Sequence, residues 1–217
     1  MDKVCAAGVV LLSQPVGEYD RRLVILTRER GKITAFAHGA RKMNSPLMAA
    51  SNPFVFARFL LFQGRNAYTL AGVEDAHYFT ELAGIQPGIY LGFYFLELAS
   101  YYGREGIESA DMVNLLFVAL KAVIKGKIPL PLLRRIFELR MLVINGDYAP
   151  SDEDADLNRD ARYALCFVSS AGLSELFSFV LDPDAEQVFS KKVEEALERT
   201  IDRRFKSLEM YEFMSQV

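Results

Sequence analysis

The sequence has no tryptophan, only two cysteines, Cys5 and Cys166, and only two histidines, His38 and His77, in 217 residues. Two cysteines cannot build a disulfide framework, and these four side chains lack the close spacing of a four-ligand zinc cluster. A reducing cytoplasm is the expected compartment, with no metal and no cofactor. Long apolar runs are missing as well: Arg58, Glu97 and Lys121 interrupt them before about 18 residues, roughly what crossing a bilayer takes, so no membrane span is expected. The run Val4 to Leu12 follows Lys3, but Asp2 offsets that charge and no small-x-small cleavage site precedes Pro15. It reads as a buried strand rather than a signal peptide. No Gly-rich loop ends in Gly-Lys-Ser/Thr, so the phosphate cradle of nucleotide hydrolases is lacking, as are internal repeats and low-complexity tracts.

What is present is the composition of an ordinary globular protein, 51% hydrophobic and 24% charged, long enough for two small domains. The net charge of −3 conceals an asymmetry. Residues 1 to 80 hold ten Lys/Arg against six Asp/Glu, whereas the remainder holds 15 against 22. The two parts are therefore expected to meet different partners.

In the basic part, short β-branched or aromatic runs separated by turn residues predict strands over 4–12, 20–29, 32–38, 54–63 and 66–73. Arg30-Gly31 and Gly64-Arg65-Asn66 supply tight hairpin turns. Five strands with one longer connection, 39–53, fit a small Greek-key barrel of the oligonucleotide-binding (OB) type. After Pro87 the apolar period turns helical. Tyr90 to Tyr102 predicts one helix, Ser109 to Lys125 a second, and Pro129 to Gly146 a third. Six acids, Asp147, Asp152, Glu153, Asp154, Asp156 and Asp160, mark a solvated loop over 147–160, and 163–181 is ambiguous between short helices and strands. A last helix starts at Asp182-Pro183, with Phe189, Val193, Leu197, Ile201, Phe205 and Leu208 along one face. The expected fold class is α+β, with a barrel over residues 1–80 followed by a helical domain over 81–217.

The cations of the barrel are Arg21, Arg22, Arg28, Arg30, Lys32, Arg41, Lys42, Arg58 and Arg65. Alternate residues of a strand share a face, so Arg28, Arg30 and Lys32 line one side of the hairpin unless a bulge intervenes. Tyr19, Phe36 and Tyr68 add π-faces, and cations interleaved with aromatics are what sequence-tolerant single-strand binding requires. Basic faces also serve acidic protein partners, or remain solvated surface. His38 reads as a hydrogen-bonded histidine near a strand end, Glu18 and Asp20 as residues that orient a neighbouring arginine or hold the turn, and Cys5 as a buried small hydrophobe.

The order Gly17-Glu18-x-Asp20-Arg21, Leu26-Thr27, Gly31-Lys32-Ile33, Gly39-Ala40-Arg41-Lys42 and Pro53-Phe54 resembles the N-terminal domain of the RecO family of bacterial recombination mediators. A second stretch, Leu132-Leu133-Arg134-Arg135-x-Phe137-Glu138-Leu139-Arg140 and then Gly146-x-Tyr148-x-Pro150, resembles that family's helical domain. The resemblance covers roughly residues 4–150. It implies a non-enzymatic protein that binds single- and double-stranded DNA, anneals complementary strands coated by single-strand-binding protein, and works with a RecR-like ring protein to load recombinase. DNA would meet Arg21, Arg22, Lys32, Arg41 and Lys42, with Arg28, Arg30 and Arg65 beside them. The helical domain would receive the acidic, apolar C-terminal tail of single-strand-binding protein, with Lys121, Lys125, Arg134 and Arg135 as cations near Leu120, Ile124 and Phe137. Many RecO-like proteins carry a four-cysteine zinc module after the Gly-x-Tyr-x-Pro turn; here that interval offers only Cys166, so no structural zinc is expected. The rival readings are an RNA-binding barrel protein, a protein-only adaptor, and a hydrolase or nuclease built on Glu18, Asp20 and His77.

Overall fold

A computed structural model describes residues 2–151 and 157–216. The chain is α+β, with five strands: β1 (Lys3–Val16), β2 (Asp20–Thr27), β3 (Gly31–Ala37), β4 (Phe56–Gln63) and β5 (Tyr68–His77). Alternation builds the barrel. Leu23 and Ile25 on β2, and Ile33, Ala35 and Ala37 on β3, join Val4, Ala6, Val10, Phe59, Leu61 and Leu70 in one core. Their even-numbered neighbours Arg22, Val24, Lys32, Thr34 and Phe36 remain partly exposed on the outside. The strands close in the order β1-β2-β3-β5-β4. All joins are antiparallel except a short parallel one between β3 and β5, where Ala35 faces Tyr68 and Phe36 faces Thr69. This is the five-stranded Greek-key barrel of the OB type.

Several strand details depart from the sequence expectation. A register shift between Val10 and Leu12 lets β1 continue to Val16, which pairs with Asp20 across a Gly17-Glu18-Tyr19 turn. β2 ends early because the Thr27 hydroxyl donates to the Gly31 carbonyl at 2.9 Å and accepts the Arg30 N–H at 3.1 Å. That closes a turn and takes Arg28 and Arg30 off the strand face. Gly31 follows with φ +65°, and a Cβ there would run into the carbonyl oxygens of Arg104 and Ile107, so only glycine suits the position. Cys5 is exposed rather than buried: Val4 and Ala6 point inward, and a period of two turns the residue between them outward.

The connection between β3 and β4 carries the short α1 (Leu47–Ala50). A 3₁₀ turn (Thr80–Gly84) leads to α2 (Gly88–Tyr102), α3 (Ala110–Lys125), α4 (Leu130–Ile144), α5 (Arg159–Ser170), α6 (Pro183–Thr200) and α7 (Lys206–Met214). The chain divides into two units, one of Met1–Thr80 with Leu96–Val113 and one of Glu81–Phe95 with Asn114–Val217.

In the first unit, the segment after α2 pairs its backbone with the β2–β3 turn. Lys32 N–H donates to Arg104 O, Gly106 N–H to Arg30 O and Ser109 N–H to Arg28 O, at 2.9–3.0 Å. In the second unit, α4, α5 and α6 pack on one another, and Phe95 of α2 stacks on Phe137 with ring centres 3.9 Å apart. The ambiguous 163–181 stretch is helical as far as Ser170, because Asn158 caps α5 by accepting the N–H groups of Asp160 and Ala161. The acidic loop therefore ends before Arg159, with Asp160 inside the helix; Asp152, Glu153, Asp154 and Asp156 lie outside the described residues. The single last helix is in fact two. Ile201 and Phe205 take extended backbone, which turns the Phe205 ring edge-on to Tyr94 at 5.6 Å and buries it.

Candidate nucleic-acid interface

The outer face of β2 and β3 forms one wall of an open groove of about 460 Å³. Arg22 and Val24 line it from β2, Lys32 and Thr34 from β3, Arg65 from the β4–β5 turn, Tyr68 from the start of β5, and Ser100, Arg104 and Glu105 from α2 and the residues after it. Four cations thus face one carboxylate around a trough whose rim carries an aromatic ring. Lys32 Nζ donates to Ser100 O at 2.5 Å, and Arg104 Nη1 to Tyr101 O at 2.5 Å. Both cations therefore also neutralise the negative C-terminal end of α2. Arg22 makes a long hydrogen bond, Nη1 to Gln14 Oε1 at 3.3 Å, and Arg65 stands exposed on its turn. Phe36 is the cross-strand partner of Arg22, which extends the face with a second ring.

The other barrel cations lie elsewhere. Arg21 points to the opposite side of β2 from Arg22, where Nη1 donates to Met48 O at 3.3 Å, Ser51 Oγ at 3.0 Å and Asn52 Oδ1 at 2.6 Å. It fastens α1 and its C-terminal end to the barrel. Arg28 and Arg30 sit on the β2–β3 turn, beyond the end of β2 and outside the lining of the groove. Arg41 and Lys42 flank the β1–β2 turn: Arg41 Nη1 donates to Gly17 O at 3.2 Å, and Lys42 Nζ lies over the Tyr19 ring, 5.4 Å from its centre. Arg58 is paired with Glu74 at 3.0 Å and Asp75 at 2.9 Å. Asp20 holds the turn. Its carboxylate accepts the Gly39 N–H at 2.7 Å and lies 2.6 Å from His38 Nδ1. The Gly39 hydrogen bond, and then His38, lower its pKa from the ordinary aspartate value.

In the helical unit the four expected cations line two different grooves. Lys121 and Lys125, joined by Lys127, border a groove of about 540 Å³ whose apolar floor is Val118, Ile128, Leu173 and Phe177. Arg134 and Arg135 instead surround Glu138. Glu138 is fully buried; it accepts from Arg134 Nε at 2.8 Å, Arg135 Nη1 at 2.9 Å and Tyr94 Oη at 2.8 Å. The two arginine side chains are only 13% and 12% exposed and are paired further with Glu212 and Glu194. Leu120 and Phe137, read as pocket floor, are fully buried core. Among the described residues, no group of three or more His, Cys, Asp or Glu side chains is placed to hold a metal ion, and no helix is long and apolar enough to cross a membrane.

Comparison with known proteins accords with this geometry. The family described as "Recombination protein O N terminal" matches residues 1–79, the barrel itself. The "DNA repair protein RecO" of Alkaliphilus metalliredigens is 37% identical over 139 residues, 64% of this chain and 56% of that protein. The protein of the same name from Clostridium perfringens strain 13 is 25% identical over 242 positions, 97% of this chain and 98% of its own length. The chain belongs to the RecO family. It spans little more than half the length of some of the relatives it matches, among them the Alkaliphilus and Desulforudis proteins, and nearly the whole of others.

The residues that carry the RecO resemblance can now be given physical roles. Asp20 and Gly39 form one hydrogen bond across the barrel end; Thr27 and Gly31 shape the β2–β3 turn; Arg21 anchors α1. On α4, Arg134, Arg135 and Glu138 form the buried charge cluster, while Arg140 Nη1 donates to Val168 O at 2.9 Å and Ser169 O at 2.7 Å near the end of α5. Most of the RecO pattern thus specifies architecture. Sequence reasoning missed Arg104, which reaches the groove from 67 residues beyond the end of β3 and has no local signal. It also missed Lys127, which the neighbouring lysines could have drawn attention to.

Proposed function

We propose that this RecO-family chain is a non-enzymatic DNA-handling protein of recombinational repair whose groove on the outer face of β2 and β3 takes a single strand. The observation that carries the reading is the convergence of Arg22, Lys32, Arg65 and Arg104 with Tyr68 on the strand 2–3 face and β4–β5 turn, the surface by which OB barrels hold oligonucleotides. Cations there screen the phosphates while rings accept bases of any identity. Annealing requires two like-charged backbones to approach, and Arg41 and Lys42 at the β1–β2 end supply further positive charge for the second strand, or for duplex. Arg28 and Arg30 extend that charge along the barrel.

The groove of Lys121, Lys125 and Lys127 over Leu173 and Phe177 suits the acidic, apolar tail of single-strand-binding protein, since carboxylates meet ammonium groups while apolar side chains meet the floor. Work beside a RecR-like ring protein, and delivery of recombinase to coated DNA, belong to the same proposal, as does a cytoplasmic location. The test is annealing of complementary oligonucleotides, bare and coated, across a salt series. Charge reversal of Arg22 and Arg65 is expected to lower affinity for all sequences alike and to flatten log Kd against log salt by about 0.7 for each phosphate no longer neutralised. Unequal losses between sequences, or binding of RNA in preference to DNA, would contradict it.

A further inference from the structure

The β1–β2 end of the barrel exposes apolar surface that packing does not explain. Met43 is 87% exposed, more than any other large apolar side chain among the described residues, with Tyr19 at 45% and Val16 at 41% close by in the turn region. Exposed apolar side chains on loops are common singly, but here they share one tip with Arg41 and Lys42. Hydrogen bonds tie the two loops of the tip together: Arg41 N–H donates to Tyr19 O at 2.8 Å, and Arg41 Nη1 to Gly17 O at 3.2 Å. The Asp20 carboxylate, held by Gly39 N–H and His38, braces the same corner, and Arg21 secures the far end of the loop at Met48, Ser51 and Asn52.

We propose that this braced tip is a wedge that stacks against the last base pair where a DNA duplex meets single strand. The inference rests on the DNA-binding reading of the adjacent groove and adds a function to it. A wedge needs three things, and the tip has each. It needs stiffness, because an apolar finger that bends cannot hold two bases apart; the crossed hydrogen bonds supply it. It needs an apolar face, with a ring to stack on a base and a pliable thioether to fill the gap; Tyr19 and Met43 supply these. It needs cations beside it to hold the phosphates of the step being opened; Arg41 and Lys42 supply those. The position fits as well. Tyr19 precedes Arg22 by three residues, at most about 10 Å of chain, so the tip begins close to the Arg22 end of the groove. An annealing protein gains from such a device, because a mismatched junction is opened again while a matched one closes past the wedge.

The test places 2-aminopurine in the terminal pair of a duplex with a single-stranded overhang and, separately, in an interior pair. With the wild-type protein the junction signal is expected to rise and the interior signal to stay level. Tyr19→Ser combined with Met43→Ser should reduce the rise at least about fivefold, while affinity for a single-stranded oligomer short enough to fill the groove alone stays within about twofold, because neither residue lines the groove. Tyr19→Phe should keep the rise, and all variants should melt like the wild type. A double variant that binds DNA and keeps the junction signal overturns the wedge, as does a wild-type protein that binds the substrate without any rise. A wild-type protein that binds no DNA overturns the groove reading itself and takes the wedge with it. Transfer of the double variant's defect to binding of anionic vesicles or a partner protein, with the junction signal intact, assigns the tip to that other surface and refutes the proposal.

Discussion

The hydroxyl of Tyr94 donates to the carboxylate of Glu138 at 2.8 Å, and neither side chain reaches solvent to any extent. Around that bond two guanidinium groups close in, so α4 carries a buried carboxylate balanced by neighbours three and four residues before it. Burial and the adjacent carboxylate together push the Tyr94 phenol well above its ordinary pKa. For Arg134, burial works against the charge, but Glu138 outweighs it and raises the pKa further.

Removing Glu138 should therefore cost far more than removing its tyrosine partner. Glu138→Ala leaves two buried guanidinium groups without their central counter-charge, and a loss of about 3–5 kcal/mol is expected from urea unfolding. Tyr94→Phe leaves one acceptor position unfilled, for about 1–3 kcal/mol. Equal stability of Glu138→Ala and wild type would show that the cluster is not the keystone of the helical unit.

Arg21 and Arg22 are neighbours on opposite sides of β2, one tied to α1 and the residues after it, the other lining the groove. Arg21→Ala should lower the melting temperature, since it strips three hydrogen bonds from α1 and the residues after it, while leaving oligonucleotide affinity nearly intact in protein kept below that temperature. Arg22→Ala should do the reverse. Fluorescence anisotropy alongside thermal melting separates them, and matching effects of the two substitutions on affinity would count against the groove.

For the helical unit, Lys121→Glu with Lys125→Glu should weaken binding of an acidic tail peptide about tenfold or more in calorimetry, with annealing of bare DNA unaffected. Arg135→Ala should act mainly on stability, because its guanidinium is spent on Glu138 and Glu194. Tail affinity indifferent to both lysines would move the site elsewhere.

The Asp20 carboxylate has a pH signature. Because its folded pKa lies below the unfolded value of about 3.9, the stability it contributes is fully present above that value and disappears as pH falls through the lower folded pKa. An NMR titration should place the Asp20 carboxyl below the ordinary aspartate range, and His38→Ala should raise it only in part, since the Gly39 N–H remains. A midpoint at or above the ordinary range would contradict the geometry.

Local chemistry alone marked out most elements. Period-two alternation identified the strands, Gly31 and Gly64 their turns, Pro129 the start of α4, and Asp182-Pro183 the start of α6. The charge asymmetry, a property of the sequence alone, marked the barrel as the basic part, the one proposed above to bind a polyanion. Where sequence reading failed, the cause was non-local. Phe205 fits the apolar stripe of a continuous helix, yet the chain breaks at Ile201 because the ring gains more by packing on Tyr94, over a hundred residues earlier.

The amino-acid order by itself determined that this is an α+β chain with a basic barrel ahead of acidic helices, because propensity, period and net charge are properties of neighbouring residues. Tertiary structure alone decided which cations are available to a ligand. Arg21 and Arg22, or Lys125 and Arg135, look equivalent in sequence, but a charge is engaged or available according to the carboxylates and carbonyls that folding brings within about 3 Å of it, and those partners come from distant parts of the chain.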